Sequence, residues 1–367
     1  MANKVLVINT VNTGFTGITS VIMNLVRNTY RQIDYDFVLC WHVEPCFQEE
    51  LQRMGKSVMQ PPYRRFRQPL RYLKWLRQVM REGQYDAVHA HGNSATLFLE
   101  MFAAKQAGIP VRIAHSHSTS CRFQLAHRLL KPLLNRTMTH GVACGTAAGQ
   151  WLFTGNFEVI PNAIDGKRYA FSENARRAYR EKLDLIDKVV IGHVGYMDSE
   201  KNHQFLLDVF TDVCAQRQDL HLLLIGDGRL RPELERCVRE RNLQSQVTML
   251  GKRQDVNQLY QCMDLLVLPS LFEGFPVVLV EAQSAGLPCI VSEGVSRGTN
   301  LTESVRFLPL EKQSWINALM ECTAAENSCR VAASQDHLRA IAAAHYEIAE
   351  TAKYVIDIYE GNNHGDY

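Results

Sequence analysis

Short apolar runs alternate with segments of helical period along nearly the whole chain, and this alternation restricts the fold more than any other feature. Strands separated each time by a helix cannot close as hairpins. They pair in parallel instead, and a parallel sheet needs helices over both faces. In the first half, Lys4–Asn9, Tyr35–Trp41, Ser57–Gln60, Asp86–Ala90, Val111–His115 and Gly141–Cys144 read as six strands. After Ile160, Pro161 and Asn162 the periodicity lapses through Asp165 and Gly166, the composition of a linker. A second series follows at Lys188–His193, Leu220–Ile225, Val247–Leu250, Leu265–Leu268, Cys289–Ser292 and Arg306–Leu308, where runs such as LLLI and LLVL suit strands buried on both faces. The expectation is an α/β protein of two tandem Rossmann-like, doubly wound domains, 1–165 and 166–342, with a helical stretch at about 343–359 packing back on the first. In such sheets ligands bind outside the carboxyl ends of the strands, so two facing domains are expected to enclose a cleft.

At 367 residues the chain is long enough for two cores. No window approaches the roughly 18 to 20 apolar residues of a membrane-spanning helix. The opening MANKVLVINT runs straight into a strand without the apolar core of a secretory signal, which predicts a cytoplasmic protein. Ten cysteines fall singly, without a C-x-x-C pair, and read as buried apolar fillers rather than zinc or redox ligands. Charge is divided unevenly: residues 1–165 hold 18 Lys and Arg against 10 Asp and Glu, the remainder 22 against 28. The first domain is therefore expected to face something anionic.

The most informative stretch is PSLFEGFPVVLVEAQSAGLPCIVS, in which seven residues separate Glu273 from Glu281 around a Gly274-Phe275-Pro276 turn. If a helix begins near Pro276 or Val277, its first amides are unpaired and suit phosphate. The glutamates cannot favour phosphate, so they are read as acceptors for sugar and ribose hydroxyls. In IGHVGYMDSEKNHQFLLDVF a strand ends at Gly195 and Lys201 opens the next helix, placing an ammonium group where a diphosphate could lie. LLLIGDGRLRPELE supplies Gly226 and Gly228 for a tight turn, and NTGFTGITSVIMNL supplies Gly14 and Gly17 for close backbone approach. There is neither a G-x-G-x-x-G fingerprint nor a P-loop. His89 with His91 and His115 with His117 end two strands, each pair on one face. Without a carboxylate between Glu100 and Glu158, these imidazoles are assigned a polar role facing the cleft rather than a metal.

Together these stretches resemble the retaining glycosyltransferases of the GT-B fold that carry an E-x7-E motif, family 4, and within it the capsular and exopolysaccharide branch. VHAHGNSATLF, VRIAHSHSTS, VIPNAID and LTESVRFLPL occur in that branch's order, and the match covers nearly the whole chain. The resemblance implies an N-terminal acceptor-binding domain and a C-terminal domain binding a nucleotide-sugar donor, a UDP-sugar. It implies donor contacts at Gly17, Gly195, Tyr196, Lys201, Gly226, Arg253, Glu273, Gly274, Phe275, Pro276, Val277 and Glu281. The catalytic set is His115, His117, Lys201 and Glu273, although which histidine matches the family's is ambiguous in register. One position departs: the family usually has arginine after the glycine of the strand-to-helix loop, and Tyr196 stands here, offering one neutral hydrogen bond where a guanidinium offers several charged ones. Arg253 or Arg229 is left to supply the charge.

The implied reaction delivers the sugar to a glycan or lipid-linked acceptor with retention, the departing phosphate assisting deprotonation of the acceptor, without metal or other cofactor and without nucleic acid. Two other readings share these residues: a sugar-nucleotide epimerase, and an inactive binding subunit suggested by Tyr196. From Tyr63 to Arg81 the chain carries seven basic residues and no acid. Arg64, Arg65, Arg67, Arg71, Lys74 and Trp75 are therefore assigned to an acceptor face in peripheral contact with an anionic membrane, at the cytoplasmic side.

Overall fold

The computed structural model describes residues 3–324 and 327–362. Strands β1 (Lys4–Asn9), β2 (Asp34–Leu39), β3 (Ser57–Met59), β4 (Ala87–Gly92), β5 (Val111–Ser116), β6 (His140–Ala143) and β7 (Glu158–Val159) form one sheet in the order β3-β2-β1-β4-β5-β6-β7, parallel throughout. Strands β8 (Val189–Val194), β9 (Leu220–Ile225), β10 (Val247–Gly251), β11 (Leu265–Leu268), β12 (Cys289–Ser292) and β13 (Val305–Leu308) form the second, in the order β10-β9-β8-β11-β12-β13, also parallel. Both sheets reverse direction of travel beside their first strand. In doubly wound folds that reversal opens the crevice where ligands bind.

The chain divides into two compact units, one running through Ala163 and completed by the C-terminal stretch from Ile348, the other spanning Ile164–Glu347. In each, the sheet is buried on both faces. Val5, Val7, Tyr35, Phe37 and Ile113 point to one side of the first sheet, against the helices Gly17–Thr29 and Ile348–Tyr359. Leu6, Ile8, Val88, Ala90 and Ala114 point to the other. This follows from the period of two. In the second unit every residue of β8 and β9 is buried, which is why both strands are mainly apolar, with one buried histidine in each, His193 and His221.

All twelve strands expected from the sequence are present, and β7 is an addition. It has two residues, Glu158 and Val159, too few for any apolar periodicity. The helical stretch expected at about 343–359 is the helix Ile348–Tyr359, which joins the first unit; the helix before it, Asn327–Ala343, belongs to the second. The cysteines form no disulfide. Cys214, Cys237, Cys262 and Cys289 are buried, whereas Cys329 is exposed and the other five are half-buried.

Candidate active site

At the carboxyl edge of the second sheet, two turns are wedged together. Gly226 follows β9 with φ +133°, and a Cβ there would lie 1.9 Å from the Gly195 carbonyl oxygen. Gly228 is equally confined, its Cβ position 2.4 Å from the Met197 carbonyl. The loop after β8 therefore lies directly on the loop after β9, and only glycine allows it. Lys201 stands in the turn before the helix His203–Cys214 rather than inside it. Its stem covers Gly195, whose Cβ would be 3.3 Å from it, and Nζ donates to Glu273 Oε1. Ser270 Oγ donates to the same oxygen at 3.3 Å. Glu273 is fixed through its backbone too, with its N–H on the Gly294 carbonyl at 3.0 Å and its carbonyl accepting from Ser296 at 3.0 Å.

The helix after Glu273 is Val277–Ser284, preceded by Pro276 and without a side-chain cap. Of its first amides, that of Leu279 donates to the Pro276 carbonyl at 3.0 Å, and those before it have no side-chain cap. Nothing lies within 4 Å of a Cβ at Gly274, so that stretch of backbone is open. Phe275 stacks on Tyr346, centroids 4.8 Å apart and planes within 5°. Glu281 departs from its expected setting. It is 8% exposed, and its two oxygens accept from the hydroxyls of Tyr169 and Tyr260, each at 2.9 Å. The sequence placed this carboxylate on a helix but could not show two tyrosines, 112 and 21 residues away, closing over it.

The cations proposed to replace an arginine at 196 differ in availability. Arg253 forms a two-pronged pair with Asp255, at 2.7 Å and 2.5 Å, and Tyr179 donates to the same carboxylate. Arg229 is exposed and bonds only the Ser199 hydroxyl, at 3.3 Å, among the described residues. Tyr196 is 50% exposed.

In the first unit, Thr16 caps the helix Gly17–Thr29 by accepting from the Thr19 N–H, and a Cβ at Gly17 would meet nothing within 4 Å. The histidines occupy the carboxyl ends of β4 and β5, with His91 opposite His115 in the register. His115 is 2% exposed inside the unit, while His117 follows the last residue of β5 at the rim. Burial lowers both, His117 to about 3 and His115 well below the ordinary imidazole value, with His117 and His89 adding to the effect on His115.

The basic segment needs correcting at two positions. Arg65 is 4% exposed, gripping Glu100 through two bonds of 2.7 and 2.6 Å, and so cannot belong to a docking face. Trp75 is half-buried against the core, because Tyr72, Leu76 and Met80 turn this side of the helix Pro69–Gly83 inward. Arg64, Arg67, Arg71 and Lys74 are exposed. A stronger apolar feature lies elsewhere: Leu125, Leu129 and Leu133, four apart on the helix Gln124–Thr137, are 73%, 66% and 42% exposed. Beside Arg65, Phe66 lies 6.4 Å from Trp41 and 5.7 Å from Phe123, all three rings exposed.

Two further histidines went unread in the sequence. His193, at the end of β8, is fully buried with Nδ1 on the Val267 carbonyl at 2.8 Å, and Nε2 unpartnered near Gly195. His203 meets it edge-on at 4.4 Å. Burial first, then each other's proximity, hold His193 well below its ordinary value, and burial takes His203 to about 4. The signal was present in the H-x-G of IGHVGY, two residues before the loop glycine.

Known proteins resemble this chain in sequence and in fold. Residues 15–168 match the family model described as Glycosyltransferase Family 4, and residues 188–321 the model described as Glycosyl transferases group 1. The chain is 37% identical over 298 residues to the Bacillus subtilis (strain 168) protein EpsF, named a glycosyltransferase, covering 76% of this chain and 77% of that one. It is 28% identical over 269 residues to an Escherichia coli enzyme named UDP-Gal:alpha-D-GlcNAc-diphosphoundecaprenol alpha-1,3-galactosyltransferase, covering 68% and 69%. Among solved structures, Anabaena HepE in complex with UDP-glucose superposes with a TM-score of 0.79 at 20% identity, over 98% of this chain and 99% of that one.

Proposed function

We propose, since this chain belongs to glycosyltransferase family 4 and is a transferase of the GT-B fold, that it moves a sugar from UDP to a lipid-linked glycan in exopolysaccharide or capsule assembly, with retention at the anomeric carbon. One observation carries this reading: the Lys201–Glu273 pair sits beside the Gly195–Gly226 backbone contact and the uncapped start of the helix Val277–Ser284. A cation, a carboxylate and open amides so placed suit a diphosphate joined to a polyhydroxylated ring. The likeness to EpsF and to an enzyme named for a UDP-Gal donor and a diphosphoundecaprenol acceptor supports the choice of donor and acceptor.

In this scheme the glycosyl C–O bond breaks with its electron pair passing to the UDP phosphate. Lys201, Arg229 and the amides of Gly274 and Phe275 stabilise that charge, and Glu273 holds the sugar hydroxyls. The acceptor oxygen bonds to the anomeric carbon on the face that UDP leaves, and its proton passes to the departing phosphate oxygen. Glu281, held by two tyrosines, accepts from the ribose. His117, at the rim, orients the reacting groups rather than His115. These cationic groups make transfer independent of a divalent ion.

The first unit presents the acceptor side. Leu125, Leu129, Leu133, Phe66 and Phe123, bordered by Arg64, Arg67 and Arg71, have the composition of a surface resting on an anionic leaflet, which would place the enzyme at the cytoplasmic face. No helix among the described residues is long and apolar enough to cross a membrane. The test is a panel of UDP- and GDP-sugars offered with a diphospholipid-linked acceptor, reading nucleotide release and product anomeric configuration. UDP release only with acceptor, and a product keeping the donor's configuration, supports the proposal. Epimer formation without acceptor would establish the epimerase instead, and binding without turnover a non-catalytic subunit.

A further inference from the structure

His89, His91, His115 and His117 form a two-by-two array in the first unit. Rings two apart on one strand stack with centroids 4.1 Å apart, in both strands. Hydrogen bonds join the strands diagonally, 3.1 Å from His89 Nε2 to His115 Nδ1 and 2.9 Å from His91 Nδ1 to His117 Nε2. One nitrogen from each of His89, His91 and His115 lies within 4.8 Å of the others. The same three side chains line a cavity of about 10 Å³, bounded also by Pro161 and by Thr351 and Val355 of the C-terminal helix. That is the space of about one water-sized sphere.

The surroundings favour an ion there. His89 has its other nitrogen on the Tyr359 hydroxyl at 2.8 Å, and His91 has its own on His117. A partner on the far nitrogen is what sets the tautomer and ring plane of a metal-ligating histidine. His115 Nε2 is buried without a partner, so hydrogen bonding alone leaves the array unsatisfied.

We propose that His89, His91 and His115 bind one divalent transition-metal ion of the zinc class, tying β4 and β5 to the C-terminal helix through Tyr359. Three neutral nitrogens leave the ion's charge unbalanced, so the fourth ligand is hydroxide or another small anion. The ion is structural, and the proposal stands independently of which donor or acceptor the enzyme uses.

The experiment takes the full-length protein without an affinity tag, strips it with a chelator and titrates it with CoCl₂ or ZnCl₂. One equivalent of Co²⁺ with the intense visible bands of four-coordination is expected, together with a rise in melting temperature on adding Zn²⁺. Tyr359→Phe should weaken Co²⁺ binding by roughly 10- to 100-fold, as loss of an orienting partner does, and His91→Gln, which removes a ligand, should weaken it further. His42→Gln, at an exposed histidine outside the array, should change nothing. Pale octahedral spectra, no stoichiometric uptake, or undiminished uptake by folded His91→Gln would overturn the proposal. Should His91→Gln not fold, X-ray absorption of the zinc-loaded wild type decides: three imidazole nitrogens at about 2.0 to 2.1 Å support the site, and fewer refute it.

Discussion

Replacing Arg65 with methionine separates a buried ion pair from a surface charge. The guanidinium makes four hydrogen bonds, two to the Glu100 oxygens at 2.7 and 2.6 Å, one to the Thr96 hydroxyl at 3.1 Å and one to the Thr96 carbonyl at 2.5 Å. Glu100 is fully buried and also accepts from the Tyr72 hydroxyl at 2.8 Å. Each charge-assisted bond is worth about 1.5 to 3 kcal/mol, but these bonds share one desolvated group and do not add. The decisive quantity is the carboxylate left alone in an apolar core, a cost of about 3 to 5 kcal/mol. At roughly 2 to 4 °C per kcal/mol for a unit of this size, the first unit should melt about 10 °C lower. The double variant Arg65→Met with Glu100→Leu should recover most of the loss, since no orphaned charge remains. Arg64→Met, one residue earlier and exposed, should stay within about 0.5 kcal/mol of wild type. Scanning calorimetry of the full chain reads all three. If Arg65→Met melts like wild type yet weakens liposome binding as Arg64→Met does, the buried pair is wrong and the arginine is a surface cation.

Lys201→Ala should lower kcat/KM about 10- to 100-fold, the equivalent of one charge-assisted bond, with an unchanged melting profile; full activity would remove Lys201 from the donor site. Glu281→Gln should weaken UDP binding about tenfold by calorimetry, because the ribose and both tyrosines lose a charged acceptor. Tyr196→Arg should tighten UDP binding if phosphate charge is under-neutralised, and unchanged affinity would mean that Arg229 already suffices. Leu129→Ser with Leu133→Ser should reduce sedimentation with anionic liposomes; unchanged sedimentation, or equal partitioning of the wild type to anionic and neutral liposomes, would argue against docking through this face. In the chelator-stripped chain, burial presses His89 and His117 down to about 3. Between that value and the unfolded value of about 6.5 the unfolded chain binds more protons, so stability falls as pH drops through this window, by up to about 1.4 kcal/mol per pH unit for each histidine. A first-unit melting temperature independent of pH from 6.5 to 4 would contradict the buried neutral array.

What could be read in advance were features written into local periodicity. Apolar runs located the strands because each sheet is covered on both faces, and the Gly-Phe-Pro turn located the start of the helix Val277–Ser284. Features made by residues distant in the chain were not readable. Arg65 looks like its neighbours in YRRFRQPLR, and only Glu100, 35 residues on, turns it inward. Glu281 is enclosed by Tyr169 and Tyr260, which no spacing rule connects to it. The leucines at 125, 129 and 133 have the period of a buried helix stripe, and exposure alone distinguishes them. The His-x-His pairs were legible as one-face pairs, but the diagonal bonding between strands depends on the β4–β5 register.

The electrostatics of the second unit follow from one pairing. Lys201 meets Glu273 directly, and both side chains are mostly covered, so the ammonium charge is largely compensated before any phosphate approaches. A diphosphate would share Lys201 with Glu273 rather than meet a free cation, and would gain less than a bare lysine provides. Arginine at position 196 would offset that compensation; tyrosine does not. On the proposed reading, a diphosphate would then rely on Arg229 and on the amides of Gly274 and Phe275, whose partial charges no carboxylate neutralises. The same pairing also has a positioning effect. In the proposed donor site, Lys201 would hold Glu273 toward the sugar hydroxyls, leaving the phosphate to the helix amides. The departure at Tyr196 is therefore read as a shift of phosphate binding from side-chain charge toward backbone dipoles, and not as decay of the site.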